Sequence, residues 1–194
     1  MKEAHAFKKE LINYYDKLSE NYDELYGSEQ RTKYSLMINT LNIEKVERVL
    51  DFGCGTGLLL KTLEEIGVCF LIGVDISSGM LAKAKEKALK YVDLILCDGE
   101  LLPIRDEVFD VVFMVTVFQN LCNKRKGLKQ AIRVMRRNGI TFISVPNKFT
   151  YPIELLRYVG TEDEIVPIKR ISGSKDMIIV LEKAVNSKSK LFKM

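Results

Sequence analysis

Short apolar stretches alternate along the chain with amphipathic ones, and this alternation restricts the fold more than any other feature. The apolar stretches are continuous and rich in β-branched residues, which is typical of strands covered on both faces of a parallel sheet. They are VERVLDF, CFLIGVD, DLILCD, FDVVFMVTVF and, at 140–146, ITFISVP. The amphipathic stretches between them are TGLLLKTLEEIG, SSGMLAKAKEKALKY and NKRKGLKQAIRVMRRNG. Such strand–helix repetition predicts an α/β fold with a doubly wound, mostly parallel sheet.

The ends of these elements carry their own signals. A serine opens the second helix as a cap, and Asn138 with Gly139 is expected to end the third. Residues 1–45 are helical in pattern and precede the first strand, so they predict an N-terminal helical cap. Near the C-terminus, EIVPIKR and DMIIVLEKA flank ISGSK, which predicts an antiparallel hairpin.

Composition excludes several classes of protein. The 194 residues are 47% hydrophobic and 29% charged, as in ordinary globular domains. No apolar run approaches the roughly 20 residues of a membrane span, and MKEAHAFKKE lacks the apolar core of a signal peptide. The four cysteines are widely spaced without a CxxC pair, which disfavours a zinc site and predicts reduced thiols in the cytoplasm. The single histidine, His5, disfavours histidine-based metal sites and nucleophilic triads.

Charge is distributed unevenly along the chain. Residues 1–110 carry a net charge of −6 and residues 111–194 a net charge of +10, and no acid occurs from Val111 to Ile153. A basic half can bind an acidic partner such as nucleic acid. The simpler interpretation, which we favour, is that NKRKGLKQAIRVMRRN forms the solvated face of a surface helix.

The stretch VLDFGCGTG, residues 49–57, contains the most informative motif. Its GxGxG spacing differs from the GxGxxG of dinucleotide-binding loops, and Leu58 stands where the third glycine would be. Asp51 precedes the glycines, and two like charges 4 Å apart repel by roughly 4 kcal/mol at an intermediate dielectric, which disfavours a phosphate. A cationic nucleoside reverses the sign. S-adenosylmethionine, which has a sulfonium, an ammonium and no phosphate, fits this loop.

Two further acids follow predicted strands. Asp75 ends the second strand, 18 residues beyond Gly57, where a carboxylate can accept hydrogen bonds from both ribose hydroxyls. NAD would use the same residue, so Asp75 indicates a nucleoside without selecting the cofactor. Asp98 follows the third strand, where it could hold an adenine amino group. Together with Asp51, these acids at the carboxyl ends of three parallel strands predict a cationic-nucleoside site.

Several motifs resemble those of the class I S-adenosylmethionine-dependent methyltransferases. VLDFGCGTG resembles their first motif and GVDISSGML their second, while CDGELLPIRDEVFDVVF and AIRVMRRNGITFISVPN are similar to the segments around their fourth and fifth strands. YYDKLSENYDELYG resembles the YDxxxxxYD pattern of the small-molecule branch. The resemblance covers about residues 12–147. It implies a seven-stranded sheet with an antiparallel hairpin at one edge, and S-adenosylmethionine as cofactor.

The resemblance also implies positions for the site. Tyr15 and Tyr22 would lie over the cofactor, Asp75 would bind the ribose, and Met80 would pack near the adenine. We expect one domain over 1–194, with a helical cap at 1–45, a cofactor-binding core at 46–147, and a substrate-side helix and closing hairpin at 148–194. No metal is expected. The cofactor-binding residues predicted in this way are Tyr15, Tyr22, Asp51, Gly53, Cys54, Gly55, Gly57, Asp75, Ile76, Met80, Asp98, Gly99, Thr116 and Gln119.

The sequence departs from the family pattern after the fourth strand. TVFQNL places Gln119 and Asn120 where the small-molecule branch often has histidines, which removes a potential general base. Methyl transfer does not depend on one, because positioning contributes roughly 7–11 kcal/mol and a base roughly 3–5 kcal/mol. We therefore assign no catalytic residue. Candidates for a base are Tyr15, Tyr22 and Tyr151, with Gln119 as an orienting group.

The substrate is left open between two classes. The chain has no NPPY or DPPY, the motif of enzymes that methylate base amines or glutamine amides, and no Pro-Cys nucleophile. The YD pattern favours a small-molecule acceptor, as in quinone biosynthesis, and this is our prediction. The basic C-terminal half and DGELLPIRDEVFD resemble methyltransferases of tRNA wobble uridine, which is the alternative. A non-catalytic cofactor-binding partner, or an enzyme that needs a helper subunit, is a further alternative. A nicotinamide oxidoreductase is disfavoured by the glycine spacing and Asp51.

Overall fold

The computed structural model describes residues 2–147, 155, 157–159 and 165–184. Its strands are β1 (Arg48–Phe52), β2 (Phe70–Asp75), β3 (Val92–Leu96), β4 (Phe109–Val115), β5 (Met135–Pro146), β6 (Ile165–Ile171) and β7 (Asp176–Lys183). Within this described part they form one seven-stranded sheet of order β3-β2-β1-β4-β5-β7-β6. Strands β1 to β5 run parallel, and β7 pairs antiparallel with both β5 and β6. The predicted doubly wound sheet and its C-terminal hairpin are confirmed.

Helices cover both faces of this sheet. They are α1 (Lys2–Leu18), α2 (Tyr22–Ile38), α3 (Leu58–Glu65), α4 (Ser78–Glu86) and α5 (Lys124–Val134). Ser77 caps α4 as predicted, because its hydroxyl accepts a hydrogen bond of 3.1 Å from the amide of Met80. Helices α1 and α2 precede the first strand and form the predicted N-terminal cap.

Two apolar cores lie on opposite faces of the sheet. Alternation along β1 sends Leu50 and Phe52 to the core beneath α5 and Val49 to the core beneath α2 and α3. In the second core the rings of Phe113 and Phe142 stack with centroids 5.0 Å apart. Burial on both faces explains why the strands read as continuous apolar runs.

The sheet has its switch point at β1. Strand β1 pairs with β2 on one side and with β4 on the other, so the chain order reverses there. In open α/β sheets, ligands bind in the crevice beyond the carboxyl ends of the strands at such a point. The glycine loop at residues 53–57 follows β1 directly and therefore opens onto this crevice.

The predicted end of the third helix is wrong. Helix α5 ends at Val134, and β5 starts at Met135 instead of residue 140. Val134 and Met135 are fully buried, so the chain extends into the sheet there, and the β4–β5 register shifts between Phe109 and Val111 to accommodate the extra residues. Asn138, at φ +60°, belongs to this bulge and does not end a helix.

Two expectations concern residues outside this description. The predicted C-terminal part, 148–194, places a substrate-side helix before the closing hairpin, and of residues 148–164 only Leu155 and residues 157–159 are described, in helical conformation. Tyr151, a candidate base, lies outside the described residues. The division into cap, core and C-terminal part stays a prediction. Every helix in the described part is too short or too polar to cross a membrane.

Candidate functional site

A cleft opens at the carboxyl ends of β1 to β4, under the N-terminal helices. It contains about 750 Å³ of space, including open solvent at its mouth. Residues from α1 and α2, the glycine loop and the loops after β2, β3 and β4 line it. They include Lys8, Leu11, Tyr15, Tyr22, Phe52, Gly53, Gly55, Asp75, Ile76, Met80, Cys97, Asp98, Gly99, Glu100, Thr116, Val117, Asn120 and Leu121.

The glycine loop forms the floor of the cleft. Its three glycines have positive φ, and the amide of Gly53 donates to the carbonyl of Val74 at 2.8 Å. A Cβ at Gly53 would lie 2.3 Å from Cγ2 of Val117, so this glycine allows close packing. A Cβ at Gly55 would come only within 4.0 Å of Sδ of Met80, because the space above this residue is the cleft itself. Because Gly55 has no side chain, the space above it is open to a ligand.

Asp75 ties the glycine loop to the start of α4. Its Oδ2 accepts from the amide of Gly55 at 2.8 Å, and its Oδ1 accepts from the amide of Ser77 at 2.9 Å. Burial raises the pKa of Asp75, and the backbone donors oppose that shift. A carboxylate has about four acceptor positions, so Asp75 can still accept a hydrogen bond from a ligand in the cleft.

Asp51 lies below the cleft wall and does not line it. The carboxylate is only 3% exposed and faces the core side that contains Tyr34. Among the described residues no hydrogen bond or ion pair compensates it. Burial in the first place, and the charge of Asp75 in the second, raise the pKa of Asp51 to about 8. A cation bound in the cleft would favour its ionised form.

Asp98 meets a lysine that the sequence did not predict for the site. Lys8 Nζ, on α1, lies 2.6 Å from Oδ2 of Asp98 and 2.8 Å from Oε2 of Glu100. Oδ1 of Asp98 accepts from the amide of Glu100 at 2.9 Å. Lys8, Leu11 and Tyr15 follow helical spacing on the face of α1 that lines the cleft, and this spacing was the available signal.

Both acids of the YD pattern anchor the N-terminal cap. Asp16 Oδ1 accepts from the hydroxyl of Ser77 at 2.6 Å and from the amide of Gly79 at 2.8 Å. Asp23 accepts a hydrogen bond from the hydroxyl of Thr56 in the glycine loop and pairs with Lys87 at 2.9 Å. Each acid therefore fixes the tyrosine before it, Tyr15 or Tyr22, against the cleft.

Thr116 marks the end of β4 with an unusual backbone. Its φ is +60°, which is strained for a β-branched residue. The amide of Thr116 donates to Oγ of Ser144 at 2.9 Å, and its hydroxyl accepts from Lys33 Nζ at 3.1 Å. Lys33 and Asp176 form an ion pair at 2.9 Å, with side chains 1% and 4% exposed. This buried network stabilises the strained turn.

The backbone carbonyl of Thr116 accepts hydrogen bonds from the side-chain amides of two residues that follow it in the chain. The carbonyl of Thr116 accepts from Nε2 of Gln119 at 2.7 Å and from Nδ2 of Asn120 at 3.4 Å. Asn120 also donates to the hydroxyl of Tyr15 at 2.7 Å, whereas Oε1 of Gln119 is buried and has no partner among the described residues. Asn120 lines the cleft and Gln119 does not.

The tyrosines and the cysteine of the cleft are poor bases at neutral pH. Burial raises the pKa of Tyr15 to about 12 and raises that of Tyr22 as well. Burial and the charge of Asp98 raise the pKa of Cys97 to about 11. All three groups therefore keep their protons at pH 7, which favours roles as hydrogen-bond donors.

Most predicted residues meet in the cleft. Those that line it are Tyr15, Tyr22, Gly53, Gly55, Asp75, Ile76, Met80, Asp98, Gly99 and Thr116. Four predicted residues, Asp51, Cys54, Gly57 and Gln119, lie behind the wall. The lining residues that the sequence analysis did not predict are Lys8, Leu11, Phe52, Val74, Cys97, Glu100, Val115, Val117, Asn120 and Leu121. Among the residues described, no cluster of three metal-ligating side chains occurs.

Comparison with known proteins identifies the family. Residues 50–143 match the methyltransferase domain family. An uncharacterized protein of Methanocaldococcus jannaschii is 34% identical over 143 residues, 74% of this chain and 54% of its own length. The demethylmenaquinone methyltransferase of Thermotoga maritima is 34% identical over 139 residues, 68% of this chain and 59% of its own length. The chain thus spans between about half and two thirds of the curated relatives it matches first.

The fold also matches that of solved methyltransferases. The magnesium protoporphyrin IX methyltransferase of Synechocystis, solved with bound S-adenosylmethionine, superposes with a TM-score of 0.75 at 16% identity, over 92% of this chain and 97% of that one. The chain belongs to the class I S-adenosylmethionine-dependent methyltransferases. The family predicted from the sequence is confirmed, and S-adenosylmethionine is the cofactor of that family.

Proposed function

We propose that this protein binds S-adenosylmethionine in the cleft and transfers its methyl group to a small-molecule acceptor. The observation that carries the proposal is the open space above Gly55, flanked by the carboxylates of Asp75 and Asp98. Beside the glycine loop the charge of Asp75 disfavours a phosphate and favours a cation, while the charge of Asp98 is balanced by Lys8. The residues present therefore fit this cofactor.

Each wall of the cleft has a task in this function. Asp75 accepts hydrogen bonds from the ribose hydroxyls. Asp98 and Gly99 bind the polar edge of the adenine, and Met80 packs beside the adenine ring. When bound, S-adenosylmethionine would supply a methyl group activated by the sulfonium: the acceptor atom bonds to the methyl carbon in line as the methyl–sulfur bond breaks, and S-adenosylhomocysteine leaves. Asp75 contributes negative charge close to the cationic part of the ligand, and that cation favours the ionised form of Asp51 behind the loop. Proximity of the two reactants supplies most of the rate.

The N-terminal cap supports a small acceptor. Tyr15 and Tyr22 cover the cleft and are tied to it through Asp16 and Asp23. A covered cleft suits an acceptor that can be enclosed. The likeness to a quinone-biosynthesis methyltransferase points in the same direction. We assign the protein to the cytoplasm, since its four cysteines are free thiols.

Methyl transfer from tritium-labelled S-adenosylmethionine tests the proposal. Purified protein is incubated with a fractionated small-molecule extract or with total tRNA, and label is counted in each. We expect label in a small-molecule fraction, lost in the Gly55→Val variant. Label in tRNA alone would overturn the proposed acceptor class. Failure to bind the cofactor, together with binding of NAD, would overturn the function as a whole.

A tRNA acceptor is the second candidate, favoured by the cations of α5. Arg125, Lys126 and Lys129 are exposed on this helix, and its cap residue Asn123 donates an amide hydrogen bond of 2.8 Å to Glu100 in the cleft wall. The basic face thus begins beside the cleft. Reversing these three charges should weaken tRNA binding and reduce its salt dependence if tRNA is the substrate. Unchanged tRNA binding favours the small molecule.

A helper subunit is supported by exposed apolar side chains near the sheet edge. Leu96 at the end of β3 and Leu101 in the following turn are 58% and 61% exposed, and β3 is the outer strand on this side. Strand edges readily pair with another chain. If the protein alone binds S-adenosylhomocysteine and turns over, a helper is unnecessary. Binding without turnover on any acceptor favours the helper or a non-catalytic role.

A further inference from the structure

The hydroxyl of Tyr15 has a defined hydrogen-bond direction. Nδ2 of Asn120 lies 2.7 Å from this hydroxyl and 3.4 Å from the carbonyl of Thr116. A backbone carbonyl can only accept, so the nitrogen of the Asn120 amide, and not its oxygen, must face this side. The oxygen of Tyr15 therefore accepts the hydrogen bond from Asn120.

Because its oxygen accepts from Asn120, the Tyr15 hydroxyl can donate its own proton to another group. Within the described part of the chain, no group accepts a hydrogen bond from the Tyr15 hydroxyl, although both Tyr15 and Asn120 line the cleft. Because burial raises the pKa of Tyr15 to about 12, the proton is retained at neutral pH. The hydroxyl is thus a neutral donor whose available acceptor must come from the cleft.

The Tyr15 hydroxyl lies on the side of the cleft opposite the proposed nucleoside contacts. Asp75 and Asp98, the candidate nucleoside acids, follow β2 and β3, on one side of the switch point at β1. Asn120 and Thr116 follow β4, on the other side, and Asn120 brings the Tyr15 hydroxyl there. This side is left for the second reactant, since the proposed nucleoside contacts of Asp75 and Asp98 follow β2 and β3.

The position of Asn120 is fixed by the hydrogen bonds of the turn that follows β4. The turn at Thr116 is held in its strained conformation by Ser144 and by Lys33, which is itself paired with Asp176. Asn120 bonds to the carbonyl of that turn. Strain maintained by a buried network is typical of groups that must be oriented for function.

We propose that the Tyr15 hydroxyl, oriented by Asn120, binds a carbonyl or oxyanion oxygen of the methyl acceptor. This inference rests on the proposed function and names its substrate class: molecules with a carboxylate, enolate or phenolate next to the methylated atom. An O–H donor pairs with such an oxygen, whereas an ammonium has no lone pair to offer it. Asn120 is a positioning residue, since it acts through Tyr15.

Binding of two matched probes tests the inference. The probes are 2-naphthoate and 2-naphthylmethylammonium, which share a ring system and differ in the sign of their charge. Each is titrated calorimetrically into protein saturated with S-adenosylhomocysteine. The variants are Tyr15→Phe, which removes the donor, and Asn120→Asp, whose carboxylate would accept the Tyr15 proton. Tyr14→Phe is the matched control, because Tyr14 is exposed and contacts Tyr15 edge-on at 5.2 Å.

We expect 2-naphthoate to bind the wild type and Tyr14→Phe equally. Binding should weaken about 10- to 100-fold in Tyr15→Phe and Asn120→Asp, the usual loss for a hydrogen bond to a charged oxygen. The affinity for S-adenosylhomocysteine, measured separately, should stay within about twofold, which a general structural defect would not allow.

Three results would overturn the inference. The first is equal loss of S-adenosylhomocysteine affinity in both variants with unchanged naphthoate binding, which would assign the hydroxyl to the cofactor. The second is preference for the ammonium probe, and the third is absence of naphthoate binding in the wild type. Failure of the wild type to bind S-adenosylhomocysteine would instead refute the proposed function, so the two failures are distinguishable.

Discussion

Asp51 and Gly55 illustrate how single residues of this protein serve ligand binding at the expense of stability. A buried carboxylate without a partner destabilises the fold, and a glycine at positive φ adds conformational freedom to the unfolded chain. Neither residue is needed to complete the core. Both are explained if a cationic ligand occupies the cleft.

Replacing Asp51 by asparagine should stabilise the free protein. The folded protein holds a proton on Asp51 up to about pH 8, whereas the unfolded chain releases it near its ordinary pKa of 3.8. The free energy of unfolding therefore falls as pH rises through this window, and an asparagine side chain at this position cannot titrate. We expect a gain on the order of 4 kcal/mol at pH 7 from urea denaturation.

The same substitution should weaken binding of S-adenosylmethionine, because the ligand loses a nearby negative charge. Asp93→Asn, at an exposed position on β3, is the control and should change neither quantity. If the unfolding free energy of Asp51→Asn varies with pH between 4 and 8 as steeply as that of the wild type, Asp51 does not carry the predicted pKa.

Gly55 and Gly67 form a matched pair for testing the floor of the cleft. Both have positive φ, and a Cβ has room at either position. Replacing either by Ala should cost about 1–2 kcal/mol of unfolding free energy, the strain of the left-handed conformation. Only Gly55→Ala places a methyl group in the cleft, so only this variant should bind S-adenosylhomocysteine roughly tenfold more weakly or worse. Equal affinities of the two variants would mean that the ligand does not lie over Gly55.

At the scale of elements, the N-terminal helices are part of the site. Helix α1 reaches the loop after β3 through Lys8 and the start of α4 through Asp16, while α2 reaches the glycine loop through Asp23. A fourth contact joins Tyr15 to Asn120 after β4. The cap therefore touches the loop after each of the four strands that form the cleft, and its docking is coupled to their arrangement.

Among the contacts between elements, we expect the buried ion pair of Lys33 on α2 with Asp176 on β7 to contribute most to the free energy of unfolding. Lys33→Met removes the partner of Asp176 and leaves a buried charge, which typically costs about 3–5 kcal/mol. Lys61→Met removes an exposed pair with Glu65 and should change the unfolding free energy by less than about 0.5 kcal/mol. Denaturation of both variants by guanidinium measures the difference. Similar small losses in the two would show that Asp176 is stabilised without Lys33.

At the scale of the whole molecule, the sequence predicted the sheet well because burial on both faces leaves uninterrupted apolar strands. Gly55, Asp75 and Asp98 line one cleft because parallel strands bring their carboxyl ends to one edge of the sheet, and their role in binding stays a prediction. Contacts between distant segments have no local pattern, and the pair of Lys8 with Asp98 is an example. The role of Asp51 at the ligand stays a prediction: the residue is 3% exposed and is not among those that line the cleft.

The start of β5 was missed for a different reason. Asn138 and Gly139 are typical of helix ends, but the buried residues Val134 and Met135 pull the chain into the sheet four residues earlier than the local signal. Tertiary packing overrides propensity at this point. The strained turn at Thr116 was equally hidden, because its partners lie far away in the sequence: Lys33 on α2, Ser144 on β5 and Asp176 on β7.

Calorimetric titration with S-adenosylhomocysteine tests most directly whether the cleft is a cationic-nucleoside site. The wild type and Asp93→Asn should bind it with micromolar or tighter affinity, and NAD should not compete. Asp75→Asn, with its folding verified by denaturation, should bind about 10- to 100-fold more weakly, since it loses charged acceptors for the ribose. Unchanged affinity in Asp75→Asn, or tighter binding of NAD than of S-adenosylhomocysteine, would contradict the account.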